Sequence, residues 1–511
     1  MHTVSDKPFN LAAVLLVGVM CLPLLLLPAD GVPWALAGLG IVSVALVLVF
    51  GQKMLLLLLG WLVAASVGGD FLWRGIIPGF FNLTVDRIAL AGLVVLFIVG
   101  LMAGVIRFRW PGRLGWVLVM LVAWCALSAQ VAGWTLPFTE IAGSNISPPF
   151  YPFFAGLLFP AIVFLMAVSV VRRENQIHTV LAFFALFGIY LTVVGLAQWF
   201  KIDALVWPKY ILDETLGIHA ERVRGPFLNA PDMGLALLIC LFATWLLAIR
   251  SSIGWRIVLV LVSLPMTLAT YLTLTRSIWL ALVLCAFLAV WVWSPARATR
   301  WALTCLLVVG LAMFVFLRWS NLTSSQREQG GVAEPEPVIS RIEAAQISLE
   351  LAAQNPLLGA GLGRFMVKAL DSAHMRTIGQ PGFAYSIGMV EHNNFLSMLA
   401  ETGVPGAAAY IGLLLGLLAV SIRLYRMIPP TATGLLDRRF VGFYWIVWLA
   451  FFVDSMFRLT TSSPLPNSLF LLLGAVIVAY YDELRPQPTG LAPILARPVA
   501  SRSPLEPARA E

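Results

Sequence analysis

The chain has 511 residues, 60% of them hydrophobic and only 11% charged, with a formal net charge of +8. A soluble domain carries about a quarter charged residues, so this balance, with a mean hydropathy of +0.91, excludes an ordinary globular protein. The positive charge is not a nucleic-acid signature, because the Lys and Arg residues fall in short loops between apolar runs, where they set membrane topology.

Crossing a bilayer takes roughly 20 apolar residues. A backbone in lipid must bond internally, so such runs read as helices. Hydropathy predicts about fourteen spans, near 10–28, 31–50, 54–68, 87–106, 115–132, 150–170, 178–199, 229–249, 256–274, 277–293, 301–318, 394–420, 440–457 and 465–482. The fold class is therefore an all-α polytopic membrane protein. The first run follows Lys7 like a signal peptide. Pro28-Ala29-Asp30 is a poor cleavage site and another span follows at once, so it is expected to be a retained helix. The third run is short, as in a tilted or re-entrant segment. Residues 1–485 form one membrane domain, and the Pro-, Arg- and Ala-rich stretch 486–511 is expected to be a disordered cytoplasmic tail.

Alternate loops carry the positive charge: Lys7, Lys53, Arg107/Arg109/Arg113, Arg172/Arg173, Arg250/Arg256, Arg297/Arg300, Arg423/Arg426/Arg438/Arg439 and Arg485. The positive-inside rule then places both termini in the cytoplasm. It places the loop 200–228 and the long polar insert 319–393 on the extracytoplasmic side. The five cysteines, Cys21, Cys125, Cys240, Cys285 and Cys305, all lie in apolar runs, where they behave as small hydrophobes. No disulfide or zinc spacing is present.

The insert begins loosely over Ser320–Pro337. Ser340 and Glu343 then match a capping box, and Ile342, Ala345, Leu349 and Ala352 follow at helical spacing. This predicts a helix starting at Ser340 and stopped by Asn355-Pro356, lying on the membrane surface or packing on the bundle. A second helix is expected over Arg364–Asp371. Gly359, Gly361 and Gly363 suit either a tight turn or an anion-binding backbone nest.

Cationic candidates gather on the outer side. Arg222 and Arg224 end the 200–228 loop, Arg276 sits in the tight turn Thr273-Leu274-Thr275-Arg276-Ser277, Arg341 opens the surface helix, and His392 closes the insert. Arginine offers a charged planar fork suited to phosphate. An Arg near a helix end also snorkels to lipid headgroups, which is the plain alternative for each residue except Arg276, wedged between two nearly touching spans. Glu401 and Asp454 lie inside apolar runs, where ionisable groups face a cavity or a partner. Asp454 and Arg458, four residues apart, can pair on one helix face. No carboxylate cluster resembles a metal site.

Four stretches together resemble the O-antigen ligase/polymerase superfamily: Arg222-Val223-Arg224-Gly225-Pro226-Phe227-Leu228-Asn229-Ala230, Thr273-Leu274-Thr275-Arg276-Ser277, Asn355-Pro356-Leu357-Leu358-Gly359-Ala360-Gly361-Leu362-Gly363, and His392-Asn393-Asn394-Phe395-Leu396 followed by Glu401-Thr402-Gly403-Val404-Pro405-Gly406. The resemblance covers about residues 180–425. Thr275-Arg276-Ser277 stands where the family usually has Ser-Arg-Gly. The resemblance implies a metal-independent, inverting glycosyltransferase of the GT-C class in the bacterial inner membrane, with no cofactor. Its donor would be a glycan on undecaprenyl diphosphate, and its acceptor a hydroxyl on lipid A-core, another glycan or a protein. Carried over, Arg222 or Arg224 with Arg276 and Arg341 would hold the diphosphate. His392 and Arg276 would be catalytic, and Asn229, Asn393, Glu391 and Glu401 would support them. Ligase and polymerase remain open, and a lipid-linked glycan flippase is the alternative of another class.

Overall fold

The computed structural model describes residues 53–72, 84–133, 139–141, 144–146, 151–217, 220–294, 296–319, 336–369, 392–432, 434–461 and 463–485. The expected spans at 10–28 and 31–50, Glu391 and the tail 486–511 lie outside them.

The described chain is a helical membrane bundle. Its helices are α1 (Met54–Leu72), α2 (Val85–Met102), α3 (Gly112–Ala132), α4 (Phe159–Val170, entered through a π-helical turn, Pro152–Leu158), α5 (Asn175–Trp199), α6 (Ala230–Arg250), α7 (Ile253–Leu272), α8 (Arg276–Trp293), α9 (Arg297–Leu317), α10 (Glu336–Gln354), α11 (Phe365–Ala369), α12 (Asn394–Met427), α13 (Arg438–Ser455) and α14 (Pro464–Leu484). One short antiparallel ribbon pairs β1 (Thr139–Ile141) with β2 (Ser144–Ile146). Among the described residues, nine helices are long and apolar enough to cross a membrane. Helices α1, α2 and α13 occupy the other expected spans. The short third run is one continuous helix, Met54–Leu72.

Helices α14 and α6 are almost wholly buried and form the centre. Helix α14 packs on α4, and α6 packs on α5 and α7. Lipid tails are as apolar as leucine, so close packing and interhelical hydrogen bonds hold such helices together. Three indoles supply bonds of that kind. Trp293 Nε1 donates to the Arg439 carbonyl at 3.0 Å, Trp445 Nε1 to Ser421 Oγ at 2.9 Å, and Trp448 Nε1 to the Leu414 carbonyl at 3.0 Å. Some hydroxyls inside spans bond back to their own helix, as Thr192 does to the Gly188 carbonyl at 2.7 Å and Thr244 to Cys240 at 2.8 Å. At the other extreme, no residue of α9 is buried.

The loops collect at two ends. At one end the arginine-bearing turns interlock. Arg172 donates to the Arg107 carbonyl at 2.7 Å, Tyr480 Oη to the Arg173 carbonyl at 2.7 Å, and Arg250 pairs with Asp437 at 2.5 Å. The 200–228 loop, the Thr273–Thr275 turn and the return from the insert lie at the other. This is the grouping that charge alternation along the sequence leads one to expect.

The insert departs from expectation at one boundary. Helix α10 begins at Glu336, one turn before Ser340, so Ser340 is interior to the helix and not its N-cap. The helix ends at Gln354, directly before Asn355-Pro356. Its inner side, Ala344, Ile347 and Leu351, is buried with Phe365 and Ala400. It therefore packs on the bundle, against α12, which is one of the two placements expected.

Candidate functional site

The loop before α6 and the hairpin between α7 and α8 are joined by one backbone bond. The Val223 amide donates to the Leu272 carbonyl at 3.2 Å. This lays Arg222-Val223-Arg224 along the hairpin that carries Arg276. The hairpin closes through Leu274, whose φ of 47° lies in the left-handed region. Arg276 opens α8 and is half-buried.

The two loop arginines have different surroundings. Arg222 is buried and its Nε pairs with Glu221 at 2.9 Å. Arg224 is 1% exposed. Its guanidinium donates to the carbonyls of Leu216, Ile211 (3.3 Å) and Asp213 (2.7 Å). Gln198 Oε1 clips the same segment, accepting from the amides of Arg224 at 3.2 Å and Gly225 at 3.1 Å. Burial lowers the Arg224 pKa, while Glu214, Glu221 and Asp213 act the other way. Arg224 thus organises the 211–224 loop from inside.

Behind Arg276 lies a buried ionic chain. Ser277 Oγ donates to Asp454 at 3.2 Å, Arg458 Nε donates to the other Asp454 oxygen, Arg458 Nη1 donates to Asp232, and Asn229 Nδ2 holds the second Asp232 oxygen at 3.1 Å. Arg458 Nη1 also reaches Ser463 Oγ at 3.3 Å. Two carboxylates around one guanidinium, each with a further donor, is the geometry that makes burial of charge tolerable.

His392 joins the same end through its neighbours. Asn393 caps α12, its Oδ1 accepting from the amides of Phe395 at 3.0 Å and Leu396 at 3.1 Å. Asn394 is fully buried, and its Oδ1 accepts from the Thr461 amide at 3.0 Å. Thr461 lies three residues past Arg458. His392, half-buried just before this cap, therefore shares an end of the bundle with the Arg276 hairpin. Arg341 is half-buried on α10, at the same end through that helix's packing on α12.

Glu401 and the glycine loop form a zip. The Ala360 amide donates to the Ala400 carbonyl at 2.7 Å, Gly361 to the Glu401 carbonyl at 3.1 Å, and Val404 to the Pro356 carbonyl at 2.8 Å. Glu401 Oε1 accepts from the Phe365 amide at 3.1 Å. Helix α12 breaks here, Gly403 taking φ 70° and ψ −174° ahead of Pro405. A Cβ on Gly403 would stand 2.3 Å from the Leu357 carbonyl oxygen, and one on Gly359 would stand 2.4 Å from the Glu401 carbonyl carbon. The amides of Ala360 and Gly361 are thus engaged within the fold, which is the tight-turn alternative for this loop.

Several residues escaped the sequence analysis. Asp232 gave a weak signal, an acid in the first turn of a helix, three residues after Asn229. Arg364 is 5% exposed beside Glu401, whose charge opposes the lowering of its pKa by burial. Arg87, buried, stands 5.5 Å from the Tyr151 ring centroid, a cation–π distance, and had no motif around it. Arg87, Tyr151, Asn229 and Asp232 line a cleft of about 250 Å³ between α1, α2 and the starts of α6 and α14. Among the described residues, no three His, Cys, Asp or Glu converge as metal ligands do.

A family model described as O-antigen ligase matches residues 261–411. The match takes in Arg276, Arg341, His392 and Glu401 and leaves Arg222, Arg224 and the amino-terminal helices outside. No curated protein matches the chain. Over this stretch the chain is similar to the O-antigen ligase/polymerase superfamily, as the three motifs that fall within it lead one to expect.

Proposed function

We propose that this multi-pass membrane protein, which carries an O-antigen ligase signature over residues 261–411, is a glycosyltransferase of GT-C type. It transfers a glycan from undecaprenyl diphosphate to an acceptor hydroxyl on the extracytoplasmic face of the bacterial inner membrane. Arg276 and Arg222 bind the donor diphosphate, with Arg341 beside them. The acceptor oxygen attacks the anomeric carbon from the face opposite the leaving group. The bond from that carbon to the diphosphate oxygen breaks, and the configuration inverts. His392 orients the acceptor hydroxyl and takes its proton. Undecaprenyl diphosphate leaves, its growing negative charge met by fixed guanidinium donors, so the reaction needs no metal.

The observation that carries this reading is the Val223–Leu272 bond, which sets the Arg222 stretch against the Arg276 hairpin at the end of the bundle where His392 lies. A transporter would hold its charges near the membrane midplane. The concentration of candidate groups at one end favours surface chemistry.

Purified Arg276→Ala and His392→Ala variants provide the test, assayed for transfer from a lipid-linked glycan and for elution as folded protein. Loss of a general base lowers the rate by about 10²–10⁴-fold, and Arg276→Ala should be at least as severe. Wild-type rates in a folded variant remove that residue from the mechanism. In a deletion strain, long unattached chains identify a ligase and attached single repeats identify a polymerase.

A further inference from the structure

The end of the bundle opposite this site holds a second cavity, of about 320 Å³, the low end of small-ligand sites, which begin at roughly 300 Å³. It opens between the start of α1, the turn after α2 and the junction of α4 with α5. Its lining combines the apolar side chains of Leu56, Val105 and Val170 with the cations Lys53, Arg172 and Arg173.

The Arg172 guanidinium is held in place. Arg172 Nε donates to the Ser169 carbonyl at 3.2 Å, and Nη2 donates to the Arg107 carbonyl at 2.7 Å. Gln176 Oε1 accepts from the amides of both Arg172 and Arg173 at 2.7 Å, which fixes the turn they stand on. Burial lowers the Arg172 pKa, and the neighbouring Arg109 and Arg107 lower it further; Glu483 alone acts the other way. The acid within this turn, Glu174, is directed elsewhere, accepting from the Leu436 amide at 2.7 Å. The result is a concentration of positive charge, with Arg172 preset, beside apolar side chains in a gap between membrane helices.

We propose that this cavity binds the phosphate-bearing headgroup of an anionic phospholipid. The cations meet the phosphate by charge-assisted hydrogen bonds, and the apolar side chains receive the first part of an acyl chain. Clusters of Lys and Arg at a membrane face attract anionic lipid in this way. The apolar side chains are what distinguish a lipid from a free phosphate.

The test is native mass spectrometry of the full chain, stripped of lipid in detergent and titrated with phosphatidylglycerol or with phosphatidylcholine of the same acyl chains. The expected result is preferential retention of phosphatidylglycerol. That retention should weaken about fivefold for each cation removed in Lys53→Ala, Arg172→Ala and Arg173→Ala. Arg173→Lys should retain binding, and so should Arg423→Ala/Arg426→Ala, a control at exposed arginines of the same end. Equal retention of the two lipids, or the same loss in the control, overturns the proposal. Displacement of phosphatidylglycerol by millimolar inorganic phosphate assigns the cavity to a free anion and overturns it as well.

Discussion

Arg458 donates to Asp232, 226 positions earlier in the chain, and in doing so fastens the start of α6 to the turn after α13. The same guanidinium holds Asp454, and Asp454 holds Ser277, the residue after Arg276. A charge that would be intolerable alone becomes the link between three helices. Removing one partner leaves the other charge buried and uncompensated, which costs about 3–5 kcal/mol.

Asp232→Ala and Arg458→Met should therefore each lower thermal stability in detergent sharply, while the double variant Asp232→Ala/Arg458→Met should recover part of the loss. Additive losses in this cycle would show that the two residues act independently.

Arg224→Lys separates two roles for a loop cation. Lysine keeps the charge but has no planar fork to span three carbonyls. The expected outcome is faster proteolysis within residues 203–221 and a lower melting temperature, with the KM for the lipid-linked donor changed less than by Arg222→Ala. A raised donor KM in an intact loop would instead make Arg224 a diphosphate ligand.

Gly403→Ala places a Cβ 2.3 Å from a backbone oxygen and asks alanine to hold φ 70°. The left-handed conformation alone costs on the order of 1–3 kcal/mol, and the contact with the Leu357 carbonyl adds to it. The variant should unfold at lower temperature, and its transfer rate should fall because the His392 end of α12 shifts with the kink. A melting curve matching wild type would show that the 355–363 loop moves aside freely.

Transfer that relies on arginines should survive dialysis against EDTA with its rate unchanged within about twofold, since a guanidinium remains charged without a metal. Activity lost to the chelator and restored by added magnesium would transfer the electrostatic role to an ion.

The sequence exposes what repeats and what is local. Long apolar runs mark the helices because lipid leaves a backbone no other arrangement. Asp454 and Arg458 are legible as a pair because four residues make one helical turn. The stop at Asn355-Pro356 is equally local. Asp232 as the second partner of Arg458 is invisible to any local pattern, since only the packing of α6 brings it near. The Val223–Leu272 bond and the seating of Glu401 on the Phe365 amide are hidden for the same reason. Motif order hints that such segments converge, but it does not say which side chains turn inward. Arg224 illustrates the limit: in sequence it is equivalent to Arg222, and in the structure its own loop surrounds it.

Helix α9 has no buried residue among those described, and it directly precedes the polar insert. Its outward sides must meet acyl chains or another polypeptide, so selection acts on its oiliness and length and not on the shape of individual side chains. Exchanges among leucine, valine, phenylalanine and methionine there should accumulate nearly freely between strains, while the same exchanges in α14 would be purged. A segment so loosely specified can vary freely even though it adjoins the polar insert.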